Sequence, residues 1–461
     1  MLDRCFDLTG RGATLGGEVR GGLTTFMVMA YIIFVNPAIL SFVGVPALAG
    51  QGPPFAAVQA ATCLVAGMLT IAMGLTSNYP LALASGMGLN AVVAFQLIAG
   101  LKLPWPAAMG VVLLEGLAIT GLVLTGFREA IMNAIPLALK QAIGVGIGLF
   151  ILFVGLVSAG IVKPGPPGVP VTLGELTTPP VAVAIVGLLV TLWLQAREVR
   201  GGLLIGILVT TALAIVCNRL TGGAAFPTPG QAVLPAALVA LPDFSTLGAG
   251  LDLSVFARVG IVTAVVTIFA IMLSDFFDTM GTVIGIAGKA GWLSRDGTLP
   301  GLNRVLLVDS LAAVAGGAAG ASSATTYVES AAGVAAGAKT GLASVVTGGC
   351  FLLALFFAPL AGVVPPQATA PALIVVGYLM AGIAREIPFG DLDEGFPALL
   401  TLSVMPFTYS ITNGIGAGFV AYCFIKLVRG RAGDVRPMMY LSALAFLVYF
   451  AAPLLERLVR S

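Results

Sequence analysis

What most constrains this chain is the recurrence of apolar runs about 20 residues long, the length a helix needs to cross a bilayer. Such runs stand near 20–42, 56–75, 104–126, 136–158, 179–196 and 201–217, and again near 255–287, 302–316, 340–362, 370–384, 396–428 and 437–454. A Pro- and Gly-rich stretch, 218–254, separates the two sets. Only 9% of the residues are charged, against roughly 25% in an ordinary globular chain, too few to cover a water-soluble body of this size. The chain reads as an all-α polytopic membrane protein with the lipid bilayer as its first partner. Its net charge of +2 offers no basic footprint for nucleic acid.

Histidine is absent, which removes imidazole metal sites, histidine general bases and histidine-centred triads. The cysteines (Cys5, Cys63, Cys217, Cys350 and Cys423) form no C-x-x-C pair and indicate neither zinc nor a disulfide framework. No metal and no cofactor is expected. Ahead of the first run, Asp3, Asp7 and Glu18 alternate with Arg4, Arg11 and Arg20, unlike the short basic start of a signal peptide, so no cleavage is expected.

Two stretches fit no ordinary span. LALASGMGLNAVVAFQLIAG (81–100) and AGGAAGASSATTYVESAAGVAAG (315–337) are interrupted by Gly, Ser or Thr and by a polar residue, Asn90 in the first and Glu329 in the second. Irregular backbone at membrane depth is tolerated only where protein or a cavity surrounds it, and Gly-broken segments at matching places in two halves point to a transporter's binding site. The places match. The separation of Asn90 from Glu329, applied to the spans 20–42 and 104–126, lands on the runs 255–287 and 340–362. The expectation is seven elements (1–217) repeated as seven more (255–461), inverted because the number is odd, with 218–254 as an extramembrane linker.

Loops that hold Arg128, Arg197, Arg200, Lys289, Arg295 and Arg304 fall on one side, while 43–55 and 362–370 carry no charge, which puts the N-terminus in the cytoplasm. Lys426, Arg429, Arg431 and Arg436 fall on the opposite side by simple counting, unless the 396–428 run, broken around Pro406 and Asn413-Gly414, is two half-spans.

Acids inside apolar runs are costly and default to functional sites. Here they are Glu115, Asp275, Asp278, Asp309 and Glu329. Asp275 and Asp278, three residues apart, share a face if helical. Asp275 is assigned substrate contact, and one of the pair is a proton carrier, unless Asp278 only braces Thr279 and Thr282. Glu329, with no base nearer than Lys339, should face a cavity rather than bond a Ser or Thr of a neighbouring helix. Thr325, Thr326 and Tyr327 either line that cavity or join helices. Asn90 carries both donor and acceptor, which suits a planar heterocycle. Glu115 and Asp309 are expected to be structural, Asp309 near the membrane interface with Arg304. Gly86-x-Gly88 lacks the Lys-Ser/Thr of a phosphate loop.

GGLTTFMVMAYIIFVNPAIL, SGMGLNAVVAF, SDFFDTMGTVIGIAGKAG, ASSATTYVESAAGVAAGAKTGLASVV and MPFTYSITNGIGAGF together resemble the AzgA-like purine permeases, a branch of the nucleobase-cation symporters, essentially end to end. The resemblance implies the UraA-type fold: 14 transmembrane elements in two inverted repeats of seven, with short β-strands at elements 3 and 10. It also implies a core domain from elements 1–4 and 8–11 and a gate domain from elements 5–7 and 12–14. Matched motif by motif, it places Asp275, Glu329 and Asn90 on the substrate. At Val92 many relatives carry an aromatic, so Phe95 or Phe276 would supply the ring that stacks on a base, with Thr326 and Tyr327 beside it. The function implied is proton-coupled import of purine nucleobases (the adenine, guanine, hypoxanthine class) across the plasma membrane, with Asp275, Glu329 and Asp278 as proton-coupling candidates. A homodimer through the gate domains is a further expectation. The rivals are an inorganic-anion transporter of the same fold, disfavoured because acids and no cation face the cavity, and a membrane-embedded enzyme, disfavoured by the lack of any nucleophile-base motif.

Overall fold

Each long apolar run closes its backbone hydrogen bonds within a helix, because lipid offers no other partner. The structure, a computed structural model, describes residues 2–43, 45–125, 135–166, 168–228, 230–235, 237–294 and 299–460. Arg128 and Arg295, used above for orientation, lie outside them. Among the described residues 11 helices are long and apolar enough to cross a membrane.

The first crossing is α1 (Leu15–Met29) continued by α2 (Ile32–Leu40), broken at Ala30 and Tyr31. Next come α3 (Phe55–Ser77), strand β1 (Leu83–Ser85), and α4 (Met87–Ala91), which runs on in wider π-helical turns from Val92 to Gly100. The first half closes with α5 (Trp105–Thr125), α6 (Leu137–Ser158), the hairpin β2 (Val162–Pro164) and β3 (Val171–Leu173), α7 (Pro179–Ala196) and α8 (Gly202–Leu220). The second half repeats the order: α9 (Ile261–Ala290), α10 (Leu302–Ala319), β4 (Ala324–Thr326), α11 (Ser330–Ala335), α12 (Gly341–Ala354) and α13 (Pro366–Ala381). It ends with α14 (Leu392–Thr408), α15 (Ile411–Val428) and α16 (Pro437–Arg460).

The halves interlock rather than sit side by side. β1 pairs antiparallel with β4, Ala84 opposite Thr325, so each interrupted stretch is completed by the other. α12 packs along α3, α10 along α5, and α13 along α6. Small residues set these approaches: a Cβ on Gly341 would meet the Gly74 carbonyl, and one on Gly74 the Gly341 carbonyl.

The 396–428 run is two helices. Tyr409 turns left-handed (φ 51°) and Ser410 caps α15 by accepting from Asn413 N at 3.2 Å. At the other end, Asp393 at the start of α14 is held by Arg429 and Arg431 at 2.8 Å and by Lys426 at 3.3 Å. The pair is therefore an antiparallel hairpin, and the basic segment after α15 returns to the membrane end where α14 begins. The misfit left by simple counting disappears for this reason. Gln141, near the start of α6, donates to Glu386 at 3.0 Å, which places the start of α6 at that same end.

Candidate functional site

A two-stranded sheet buried between helices has two edges with no strand to satisfy them, and unpaired buried amides are costly. Side chains fill both edges. On β1, Thr70 Oγ1 accepts from Leu83 N at 2.9 Å and donates to the Leu83 carbonyl at 3.1 Å. On β4, Asp309 Oδ1 accepts from Thr326 N at 2.8 Å and from Thr326 Oγ1 at 2.7 Å, while its Oδ2 accepts from Thr279 Oγ1 at 2.7 Å. Thr279 and Thr325 share a further hydroxyl bond of 2.6 Å. Asp309 is thus the clamp that binds α9, α10 and β4 together. It is buried, and the expected place near the interface with Arg304 is corrected: the carboxylate points along its helix to the sheet edge, not to the helix start.

The linkers around the strands are tied just as closely. Tyr327 Oη donates to the Ser85 carbonyl at 2.5 Å, and Ser85 Oγ donates to the Ala321 carbonyl at 2.6 Å. The amide of Asn36, on α2, reaches Thr62 Oγ1 at 2.7 Å and the Ala321 carbonyl at 3.0 Å. These bonds engage Thr326 and Tyr327 in the strand crossing itself.

Around this crossing the structure separates Asp275 from Asp278. Asp275 is buried, its Oδ2 accepts from Ser323 Oγ at 2.8 Å, and its Oδ1 has no partner. Glu115, wholly buried on α5 with neither oxygen in hydrogen-bond geometry, lies beside Asp275 and Ser323. Asp278 is half-buried and lies within electrostatic range of Glu329 and Asp309. The acid of α9 that shares the surroundings of Glu329 is therefore Asp278, whereas Asp275 faces Glu115 and Ser323. A step of three residues turns a helix by about 60° short of a full circle, enough to send the two carboxylates to different neighbours.

Glu329 heads α11, half-buried, and its Oε1 accepts from Tyr31 Oη at 2.7 Å. Tyr31 sits at the break between α1 and α2, where the interrupted helix turns it into the interior. Sequence reasoning missed it, together with Asn36 and Ser323. The available sign was that Tyr31 and Asn36 are hydrogen-bonding side chains inside an otherwise apolar run, YIIFVNPAIL. Asn90 is fully buried, and neither its amide nitrogen nor its oxygen has a partner. Its helix, α4, touches α2, α6 and α9.

The two rings expected near the cargo have different placements. Phe276 is buried on α9, edge-on to Phe277 with centroids 5.7 Å apart. Phe95 lies in an aromatic cluster with Phe42 at 6.0 Å, Tyr409 at 5.6 Å and Phe150 at 6.5 Å. Next to it, Gln96 Nε2 donates to Thr412 Oγ1 at 2.5 Å. Phe95 thus packs the tip of the α14–α15 hairpin onto the π-helical part of α4.

The sequence matches the Permease family over residues 16–416. The chain belongs to that family. It is a multi-pass membrane permease, not an enzyme. The guanine/hypoxanthine permease PbuG of Bacillus subtilis is 41% identical over 95% of this chain and 97% of its own length. The adenine permease AdeP of Escherichia coli is 38% identical over 97% of this chain and 95% of its own length. In three dimensions the permease is similar to the transmembrane domain of a cyanobacterial bicarbonate transporter, BicA, with a TM-score of 0.64 at 15% identity, covering 87% of this chain and 97% of that one. It is also similar to SLC26A9, with a TM-score of 0.61 at 13% identity over 90% of this chain and 65% of that one. The shared property is the fold, the UraA-like architecture expected from the sequence.

Proposed function

We propose that this permease imports purine nucleobases together with protons. The observation that carries the reading is the fully buried Asn90 amide, without a partner for either of its atoms, on a helix that touches α2, α6 and α9. A buried amide left open in both senses costs about 1–3 kcal/mol per unmade bond, a cost that a ligand with paired donor and acceptor edges removes. A purine has such edges. The full-length similarity to permeases named for guanine, hypoxanthine and adenine supports the same class of cargo.

In this reading Glu329, oriented by Tyr31, accepts a ring N–H or an exocyclic amine, Asp278 stands beside it, and Asn90 reads a further edge. Phe276 is the ring nearer in sequence to these acids. Competition by unlabelled adenine, guanine, hypoxanthine, xanthine and uracil against radiolabelled uptake tests the class: displacement by uracil alone, or by none of the bases, overturns it. Asn90→Ala should reorder the inhibition by the five bases while leaving expression near that of wild type. An unchanged order of inhibition would return Asn90 to packing.

Proton coupling is assigned to Asp275, a carboxyl buried among Glu115, Asp309 and Ser323 with no ion pair among the described residues. Such a group can change its charge only by exchanging a proton. Asp275→Asn should lose accumulation of purine driven by an inward pH gradient in proteoliposomes and keep slow counterflow between equal pools. Gradient-driven accumulation by the Asn variant would move the proton site to Glu329.

The moving parts are proposed as a core of α1–α5 with α9–α12 and a gate of α6–α8 with α13–α15, the latter held by the α6–α13 and α6–α14 packing. The N-terminus is placed in the cytoplasm of a cell with its permease in the plasma membrane. Arg197, Arg200 and Arg304, with the basic segment after α15, would then share the inner face. A homodimer through the gate remains part of the proposal.

A further inference from the structure

On α1, Gly16, Val19, Arg20, Leu23, Thr24 and Met27 recur at helical spacing on one face, and with Arg200 they line a surface groove of about 400 Å³. Val19, Leu23 and Met27 are exposed there, an apolar floor with a positive group on each side. Arg20 is held in place because its Nε donates to the Ala336 carbonyl at 2.9 Å. Arg200 is placed by the turn between α7 and α8. Gly201 (φ 73°) presses that turn onto α1 so closely that a Cβ would stand 3.1 Å from the Met27 carbonyl oxygen.

Neither arginine has an acidic partner among the described residues. The nearest acid on α1, Glu18, is fully buried on the other face and accepts from Lys339 N at 2.8 Å and from Thr340 N and Ala343 N. Glu198, exposed in the same turn as Arg200, pairs with neither arginine. The depth of the groove is marked independently. Trp193, 59% exposed at the end of α7, carries the Arg197 guanidinium over its ring at 5.9 Å, the arrangement of an aromatic anchor at the headgroup level.

We infer that this groove seats one anionic phospholipid, its headgroup phosphate bridged by Arg20 and Arg200 and one acyl chain lying along Val19, Leu23 and Met27. Guanidinium forks match phosphate oxygens in a way an ammonium cannot, and basic pockets between membrane helices select anionic headgroups. The seat joins α1 to the α7–α8 turn, which already meets α1 where Gly201 lies against the Met27 carbonyl.

The test is native mass spectrometry of the purified full-length protein in neutral detergent, titrated with palmitoyl-oleoyl phosphatidylglycerol or with the phosphatidylcholine of the same chains. Wild type should retain one phosphatidylglycerol in preference to phosphatidylcholine. Arg200→Gln, which breaks no bond seen in the structure, should weaken that retention about fivefold, and Arg20→Gln with Arg200→Gln by about that factor again. Leu23→Gln should weaken retention without changing the charge, and Arg304→Gln, an exposed arginine outside the groove, should leave it unchanged. Equal retention of the two lipids by wild type, or full retention by Arg200→Gln, overturns the proposal. Displacement of the bound lipid by inorganic phosphate, with Leu23→Gln behaving as wild type, shows a phosphate site only and overturns the lipid assignment.

Discussion

On the proposed reading, Glu329→Gln should weaken purine binding roughly 10- to 150-fold or more, the equivalent of about 1.5–3 kcal/mol for a bond to a charged acceptor. Tyr31 Oη donates to one carboxylate oxygen at 2.7 Å, and in the glutamine variant it can still donate to the amide oxygen. That preference turns the amide NH2 toward the position of the cargo, where it meets a ring N–H, donor against donor. The same geometry separates the roles of the two residues. Tyr31→Phe leaves the carboxylate in place but frees its orientation, so it should weaken binding by a smaller factor, and the double variant should be no worse than Glu329→Gln alone. Equilibrium binding to purified protein measures all three. Wild-type affinity in Glu329→Gln would remove Glu329 from the cargo site, and equal losses in both single variants would mean that Tyr31 touches the cargo itself.

The second large effect concerns stability. Asp309→Ala should destabilise the folded permease by about 3 kcal/mol or more, because three donors converge on one buried carboxylate: Thr326 N, Thr326 Oγ1 and Thr279 Oγ1. Alanine offers no acceptor, which leaves the Thr326 N–H and the two hydroxyls without their partner at about 1–3 kcal/mol each, and the edge of β4 loses its substitute for a neighbouring strand. Asn, with its oxygen on Thr326 and its NH2 donating to the Thr279 hydroxyl, should cost less. Thr326→Val keeps the backbone N–H bond and removes only one hydroxyl, so it should cost about 1 kcal/mol. Melting in detergent, followed by size-exclusion chromatography, checks the pair. Asp309→Ala melting within a degree or two of wild type, and monodisperse, would show that the sheet edge does not depend on this carboxylate.

The long runs, the two interrupted stretches and their matching places were legible because each is a local property: 20 apolar residues must be helical in lipid, and a Gly-rich break inside such a run must be covered by protein. The costly acids were legible for the same reason, since a charge among apolar neighbours is conspicuous whatever its partner. The hairpin at 396–428 was only half legible. Pro406 and Gly414 both look like breaks, yet α14 continues through Pro406 and the chain reverses at Tyr409 and Ser410, where a left-handed residue and a serine cap coincide. Its base is set by Asp393 drawing in Lys426, Arg429 and Arg431, and no local pattern shows that pairing.

By itself the sequence determined a bilayer-spanning chain with two interrupted stretches, one carrying an amide and the other an acid, and further acids within its apolar runs. Only the tertiary structure decided which of those groups face one another. Asp278 rather than Asp275 adjoins Glu329, Tyr31 orients Glu329, and Asp309 closes a sheet edge instead of an interface. The reason is geometric. β1 and β4 come from opposite halves of the chain and pair with Ala84 opposite Thr325, so the neighbours of every side chain at the crossing are supplied by segments remote in sequence. The direction each carboxylate takes follows from how far its helix is turned about its own axis when it packs, which hydrophobic periodicity fixes only to within the width of an apolar face.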